Sequence, residues 1–175
     1  MVESKRIAKF KAGDNVIATV EGKSYPATII VVDYGTFYDP DEIQYDVLVS
    51  EGDLHNTIIK HIYEKRIRKP RLYVSLPIAI DEKTVALRWR KSMEDISYDE
   101  LLSQYEIYGP INIDDFDDTG LTKERTHDYA WYMGEDVKVL LNCDAIYMST
   151  GWENSPGCNC ELQVAKTYNK EIFYQ

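Results

Sequence analysis

The stretch Asp144–Ala165, DAIYMSTGWENSPGCNCELQVA, decides how the second half of the chain is read. Ala145 to Met148 is a short apolar run of the kind that forms a strand buried on both faces. A loop of small and polar residues follows, from Ser149 to Gly157, and then a helix is expected over CNCELQVAKTYN, Cys158 to Asn169. Strand, loop and helix in that order predict a parallel α/β sheet. Ligands of such sheets bind beyond the carboxyl ends of the strands, where this loop emerges. Backbone N–H groups at the helix start attract anions. Glu161 stands near that start, and the helix dipole alone accounts for a carboxylate in a first turn. A chemical role for Glu161 therefore needs further support.

The neighbouring segments extend the pattern. RLYVSLPIAI, Arg71 to Ile80, opens as a buried strand. KTVALRWRKS is ambiguous, because Val85, Leu87 and Trp89 alternate as in a strand. Ser97-x-x-Glu100 is a capping-box signal for a short helix DELLSQY. EIYGPINI, Glu106 to Ile113, reads as a strand with a turn at Gly109-Pro110. DDFDDTG, Asp114 to Gly120, is an acidic loop without the glycine and glutamate offsets of a calcium loop. Thr122 to Asp144 is expected to be a long helix interrupted near Gly134, and EIFYQ a final strand. Residues 70–175 are thus expected to form a Rossmann-like, flavodoxin-like parallel-sheet domain.

Residues 1–69 carry β signals instead. NVIATV, Asn15 to Val20, alternates apolar and polar residues, and Glu21-Gly22-Lys23 makes a turn. YPATIIVVDY, YDVLVS and NTIIKHIYEKRIRK follow. Gly13-Asp14-Asn15-Val16, Tyr25-Pro26-Ala27-Thr28-Ile29 and Tyr45-Asp46-Val47 resemble the motif set of SH3-like or Tudor-like small β-barrels, which implies a barrel of a kind used for peptides, nucleic acids or simple scaffolding, with a protein partner as one expectation. Tyr34, Phe37, Tyr38 and Tyr45 fit either an aromatic cage or ordinary core and rim positions, and the second is favoured. The basic run EKRIRKPR, Glu64 to Arg71, ends in the prolyl junction between the two units.

Charge narrows the classes of function. The chain has 175 residues and a formal net charge of -10. Residues 1–70 hold ten Lys and Arg against eleven Asp and Glu, and residues 71–175 hold ten against nineteen. A chain this acidic is not expected to bind duplex nucleic acid, which requires clustered cations. No apolar run reaches membrane-spanning length, and a cytoplasmic location is expected. Cys143, Cys158 and Cys160 have no spacing suited to a disulfide framework, and no His lies at zinc-site spacing from them.

Leu140–Ala165 resembles the nucleoside 2-deoxyribosyltransferase-like superfamily, which includes 2'-deoxynucleoside 5'-phosphate N-hydrolases and CMP hydrolases. The matching positions are Asp136, Cys143-Asp144, Ser155, Gly157, Glu161 and Ala165, in the pattern S-x-G-x-x-x-E-x-x-x-A. Leu72-Tyr73-Val74-Ser75 matches the family's first strand, and the family pattern places a helix over KTVALRWRKS. A serine six positions before the glutamate is found in the phosphohydrolase branch. Leu76 departs from the pattern, which has a glycine there.

The resemblance implies cleavage of the N-glycosidic bond of a (deoxy)ribonucleoside 5'-monophosphate, with Glu161 as nucleophile and Tyr73 and Asp136 as the other catalytic residues. Ser155 and Gly157 would hold the 5'-phosphate, with Ser75, Pro77, Asn154 and Trp152 on the substrate side. Trp152 would stack on a base or plug the sheet edge. No metal or other cofactor is implied, and a homodimer or larger assembly is. Two other readings stand beside it: a non-catalytic nucleotide sensor or sponge, and an acidic protein-binding inhibitor that mimics nucleic acid.

Overall fold

The structure is a computed structural model that describes residues 7–35, 42–78, 82–110 and 128–175. The chain divides into two compact units, residues 1–70 and 71–175.

The first unit is an antiparallel sheet of five strands: β1 (Asn15–Val20), β2 (Lys23–Asp33), β3 (Gln44–Val49), β4 (Ile58–Tyr63) and β5 (Ile67–Arg68). Its order is β4-β3-β2-β1-β5. The β1–β2 turn is tight, with Val20 opposite Lys23, and Glu21 and Gly22 both take positive φ. Val16, Ala18, Ala27, Ile29, Tyr45 and Val47 form the core with Phe10. Tyr45 is fully buried there, Tyr34 is exposed, and Phe37 and Tyr38 lie outside the described residues. Burial thus assigns Tyr45 to the core and away from a ligand cage.

The second unit is a four-stranded parallel sheet of β6 (Arg71–Ser75), β7 (Glu106–Tyr108), β8 (Ala145–Met148) and β9 (Glu171–Tyr174), in the order β7-β6-β8-β9. Three helices are described with it: α1 (Glu82–Tyr98), α2 (Tyr129–Leu141) and α3 (Pro156–Thr167). The fold is mixed α/β. β6 and β8 occupy the centre and are buried along almost their whole length, as parallel strands covered on both faces must be. Alternation sorts their side chains. Leu72, Val74, Ala145 and Tyr147 pack with Ile96 of α1. Tyr73, Ile146 and Met148 pack with Leu140 of α2 and with Cys158, Leu162 and Ala165 of α3. Asp144 joins the two central strands, its Oδ2 accepting from the Arg71 N–H at 2.7 Å.

KTVALRWRKS, ambiguous by alternation, is helical within α1, as the family pattern places it. Other local expectations are corrected. Ser97 opens no helix: it lies in the last turn of α1, and its hydroxyl donates to the Glu94 carbonyl. Asp99 accepts from the N–H groups of Leu101 and Leu102 ahead of a short 3-10 turn, Leu102–Gln104. α2 runs unbroken through Gly134 and starts at Tyr129, capped by Asp128. α3 starts at Pro156, with Ser155 as N-cap, so Glu161 is in its second turn and not its first. The acidic loop 114–120 lies outside the described residues.

Candidate functional site

Glu161 belongs to the buried stripe of α3: Cys158, Glu161, Leu162 and Ala165, spaced i, i+3, i+4 and i+7. Such positions normally hold apolar residues, and a carboxylate there costs several kcal/mol unless it is hydrogen-bonded. Glu161 is 4% exposed, and β6 satisfies both of its oxygens. Tyr73 donates its phenolic O–H to Oε1 at 2.7 Å, and Ser75 donates its hydroxyl to Oε2 at 2.5 Å. Tyr73 and Ser75 are two apart on one strand, so both face α3. Among the described residues no buried side-chain nitrogen or oxygen lacks a partner.

The electrostatics follow from this burial. Desolvation, opposed by the hydroxyls of Ser75 and Tyr73 and reinforced by Asp136, leaves Glu161 raised from the ordinary 4.5 to about 7. The carboxyl is therefore divided between its two protonation states near neutral pH. Burial, followed by the nearby charges of Glu161 and Asp136, holds Tyr73 well above the usual phenol range, so it remains a donor. Burial also raises the Cys158 thiol, against the pull of Ser155 and Ser75, which makes it a poor nucleophile.

Glu161 lines a cavity of about 380 Å³ together with Leu76, Ile78, Pro110, Tyr129, Tyr132, Met133, Asp136, Ser155, Pro156, Gly157 and Cys158. That volume is within the range for small-molecule sites. One wall is α2, which presents Tyr129, Tyr132, Met133 and Asp136, again at i, i+3, i+4 and i+7. The opposite wall is the start of α3. Gly157 permits their close approach: a Cβ there would stand 3.0 Å from the Tyr129 hydroxyl and 3.3 Å from the Met133 sulfur. Ser155 caps α3 by accepting from the Cys158 N–H, and its side chain lies beside the cavity.

The structure thus brings Glu161, Tyr73, Ser75, Asp136, Ser155 and Gly157 together. Four expected substrate contacts do not line the cavity: Ser75, which is joined to it through Glu161, and Pro77, Trp152 and Asn154. Pro77 is buried, and its carbonyl accepts from Arg88 at 3.1 Å. Trp152 packs on the α2–α3 core, its ring 5.7 Å from that of Tyr174. Asn154 is exposed on a 3-10 turn. Leu76, read in the sequence as a departure, forms apolar wall instead. Tyr129, Tyr132 and Met133 were missed, although helical spacing traced backwards from Asp136 reaches all three. Among the described residues no group of three or more His, Cys, Asp or Glu is placed to hold a metal ion. No helix among them is long and apolar enough to cross a membrane.

Residues 117–174 match a family model described as a domain of unknown function (DUF4406). The match takes in α2, β8, α3 and β9, the elements that carry Asp136, Ser155, Gly157 and Glu161. No curated protein matches the chain. What the comparisons establish is that this third of the protein is similar to DUF4406.

Proposed function

We propose that the second unit is a nucleotide N-glycosidase of the nucleoside 2-deoxyribosyltransferase-like type. Its substrate is a (deoxy)ribonucleoside 5'-monophosphate and its nucleophile is Glu161. One observation carries the reading: a carboxyl group in the buried stripe of α3, gripped on both oxygens by protonated hydroxyls, at the wall of a cavity. A helix that only packed on its sheet gains nothing from a carboxyl there.

In the first step a Glu161 oxygen bonds to C1' while the bond from C1' to the base nitrogen breaks. The electron pair leaves with the base, and Asp136 supplies the proton that neutralises it. In the second step water attacks C1', the ester bond to Glu161 breaks, and the water's proton passes to Asp136. The sugar phosphate departs and both carboxyl groups return to their starting states. Replacing water by a second base gives the transferase variant. Tyr73 and Ser75 orient Glu161 and favour its ionised form. Ser155 and the N-terminus of α3 receive the 5'-phosphate. The protein acts in the cytoplasm as a homodimer or larger assembly, and the first unit is a small SH3-like or Tudor-like barrel that engages a protein partner.

The test is release of free base from a panel of ribo- and deoxyribonucleoside monophosphates, measured for the native protein and for Glu161→Gln. The expected result is release by the native protein and a loss of at least about a thousandfold in the variant. Base release that survives the substitution overturns the assignment. Thermal stabilisation by a nucleotide without turnover supports a non-catalytic binder, a reading that the apolar wall around Leu76 favours.

A further inference from the structure

The strand order β7-β6-β8-β9 places β7 on one side of β6 and both later strands on the other. The direction of winding therefore reverses between β6 and β8, and crevices beyond the carboxyl ends of strands open at such a seam. Two loops leave these strands there, one through Leu76, Pro77 and Ile78, the other through Ser149 to Asn154.

Arg88 reaches this seam from α1. Its Nη1 donates to the Pro77 carbonyl at 3.1 Å, and its Nη2 lies 4.0 Å from where a Cβ on Gly151 would stand. The guanidinium therefore spans the two loops. Gly151 has φ +88° and no side chain, so the space beside Nη2 stays open. Arg88 is half-buried, and among the described residues its hydrogen-bond partner is that one carbonyl, with no carboxylate in ion-pair range. Arg71, in contrast, is 3.4 Å from Glu106. A guanidinium with no carboxylate partner among the described residues is informative in a chain of net charge -10, because toward those residues most of its five donors are uncommitted.

We infer that Arg88 binds the phosphoryl group of the ligand. A phosphoryl dianion is the ligand chemistry that fits a planar fork with free N–H groups at a strand-end crevice. The cavity itself offers two carboxyl groups, Asp136 and Glu161, and no cationic side chain among its described lining residues. Charge balance for a bound phosphate thus comes from beside the cavity, one residue from Ile78 on its wall. The inference rests on the proposed N-glycosidase for the sugar, and on the seam alone for the phosphate.

The test compares Arg88→Gln, which retains an amide donor for the Pro77 carbonyl, with Arg88→Lys, which retains the charge. Inorganic phosphate and ribose 5-phosphate are the probes, with saturable binding measured by calorimetry at fixed ionic strength. Arg88→Gln is expected to bind both at least tenfold more weakly, and Arg88→Lys to recover part of the loss. Equal affinity in Arg88→Gln and the native protein overturns the inference, as does an absence of phosphate binding by the native protein. A second arm compares a nucleoside monophosphate with the nucleoside lacking the phosphate. KM is expected to rise at least tenfold for the first and less than twofold for the second. An equal fall in kcat/KM for both makes Arg88 a loop-holding group and overturns its phosphate role. Loss of turnover in the native protein strikes the N-glycosidase alone, because the binding arm still decides on Arg88.

Discussion

Each unit contains a buried tyrosine that donates its hydroxyl to a glutamate, and the two pairs have different surroundings. In the first unit Tyr45 donates to Glu64 Oε2 at 2.5 Å. The Lys9 N–H donates to the same oxygen at 3.0 Å, and the Phe10 N–H donates to the Tyr45 hydroxyl at 3.4 Å. That pair fastens the segment before β1 to the sheet. In the second unit Tyr73 donates to Glu161, whose other oxygen takes Ser75, and the carboxyl borders a cavity. A backbone amide and a hydroxyl hold the first carboxylate, whereas two hydroxyls hold the second, which is deeply buried beside open space. The same residue pair therefore reads as a structural tie in one setting and as chemistry in the other.

The largest effect that sharpens this contrast comes from substituting the two glutamates. Glu161→Gln should abolish base release and leave the protein folded. Glu64→Gln should leave base release within about twofold and lower the stability of the first unit by roughly 1 kcal/mol, the usual worth of one such hydrogen bond. Unfolding curves and a base-release assay read both. If Glu64→Gln alone cost activity, the contrast would fail.

The next effect concerns the hydroxyls. Tyr73→Phe and Ser75→Ala each remove a bond that lowers Glu161 and helps hold it at about 7. The acidic limb of the kcat/KM profile should therefore move to higher pH in both variants, with kcat falling about tenfold to a hundredfold. A limb that stays in place would separate these hydroxyls from the ionisation of Glu161.

A smaller effect is on stability. The folded-state value of Glu161 is raised above its ordinary 4.5, so the folded state holds the proton more tightly. Stability should fall as pH rises from about 4.5 to 7, by an amount on the order of 3 kcal/mol at most. Glu161→Gln should remove that slope. It should be more stable than the native protein above pH 7, and the advantage should disappear toward pH 4.5. Chemical denaturation across this window checks the sign, and a slope unchanged in the variant would place its origin elsewhere.

The smallest effect is steric. Gly157→Ala puts a methyl group 3.0 Å from the Tyr129 hydroxyl, which sits on an exposed and movable ring. KM should rise a fewfold, and adding Tyr129→Phe should restore part of it. Additive losses in the double variant would deny that the two residues meet across the cavity.

Much of this architecture is legible in residue patterns, and the gaps have physical causes. The strand Asn15–Val20 is visible because its alternation matches the pleat and a tight turn ends it. β8 is visible as a short apolar run between turn residues. α1 is hidden by Val85, Leu87 and Trp89, whose alternation imitates a strand although 17 residues are helical. The signal at Ser97 fails because the preceding helix had not yet ended. At the site, Tyr73 and Ser75 fall on one face by strand periodicity alone. That both hydroxyls meet the same carboxyl depends on how α3 docks, which spacing does not encode. Leu76 appeared as a lost glycine because single-residue reasoning weighs backbone approach and overlooks wall-building. Tyr129, Tyr132 and Met133 follow from Asp136 only once α2 is known to start at Tyr129.

The most direct test of the central claim is stereochemical. Glu161 as nucleophile requires two successive displacements at C1', so the anomeric configuration is retained. Turnover of a β-configured nucleoside 5'-monophosphate in the presence of methanol, followed by proton NMR of the methyl glycoside phosphate, reads the outcome before any mutarotation. The account predicts the β-methyl product from the native protein and none from Glu161→Gln. An α-methyl product would mean direct attack by the acceptor, and would contradict a covalent role for Glu161.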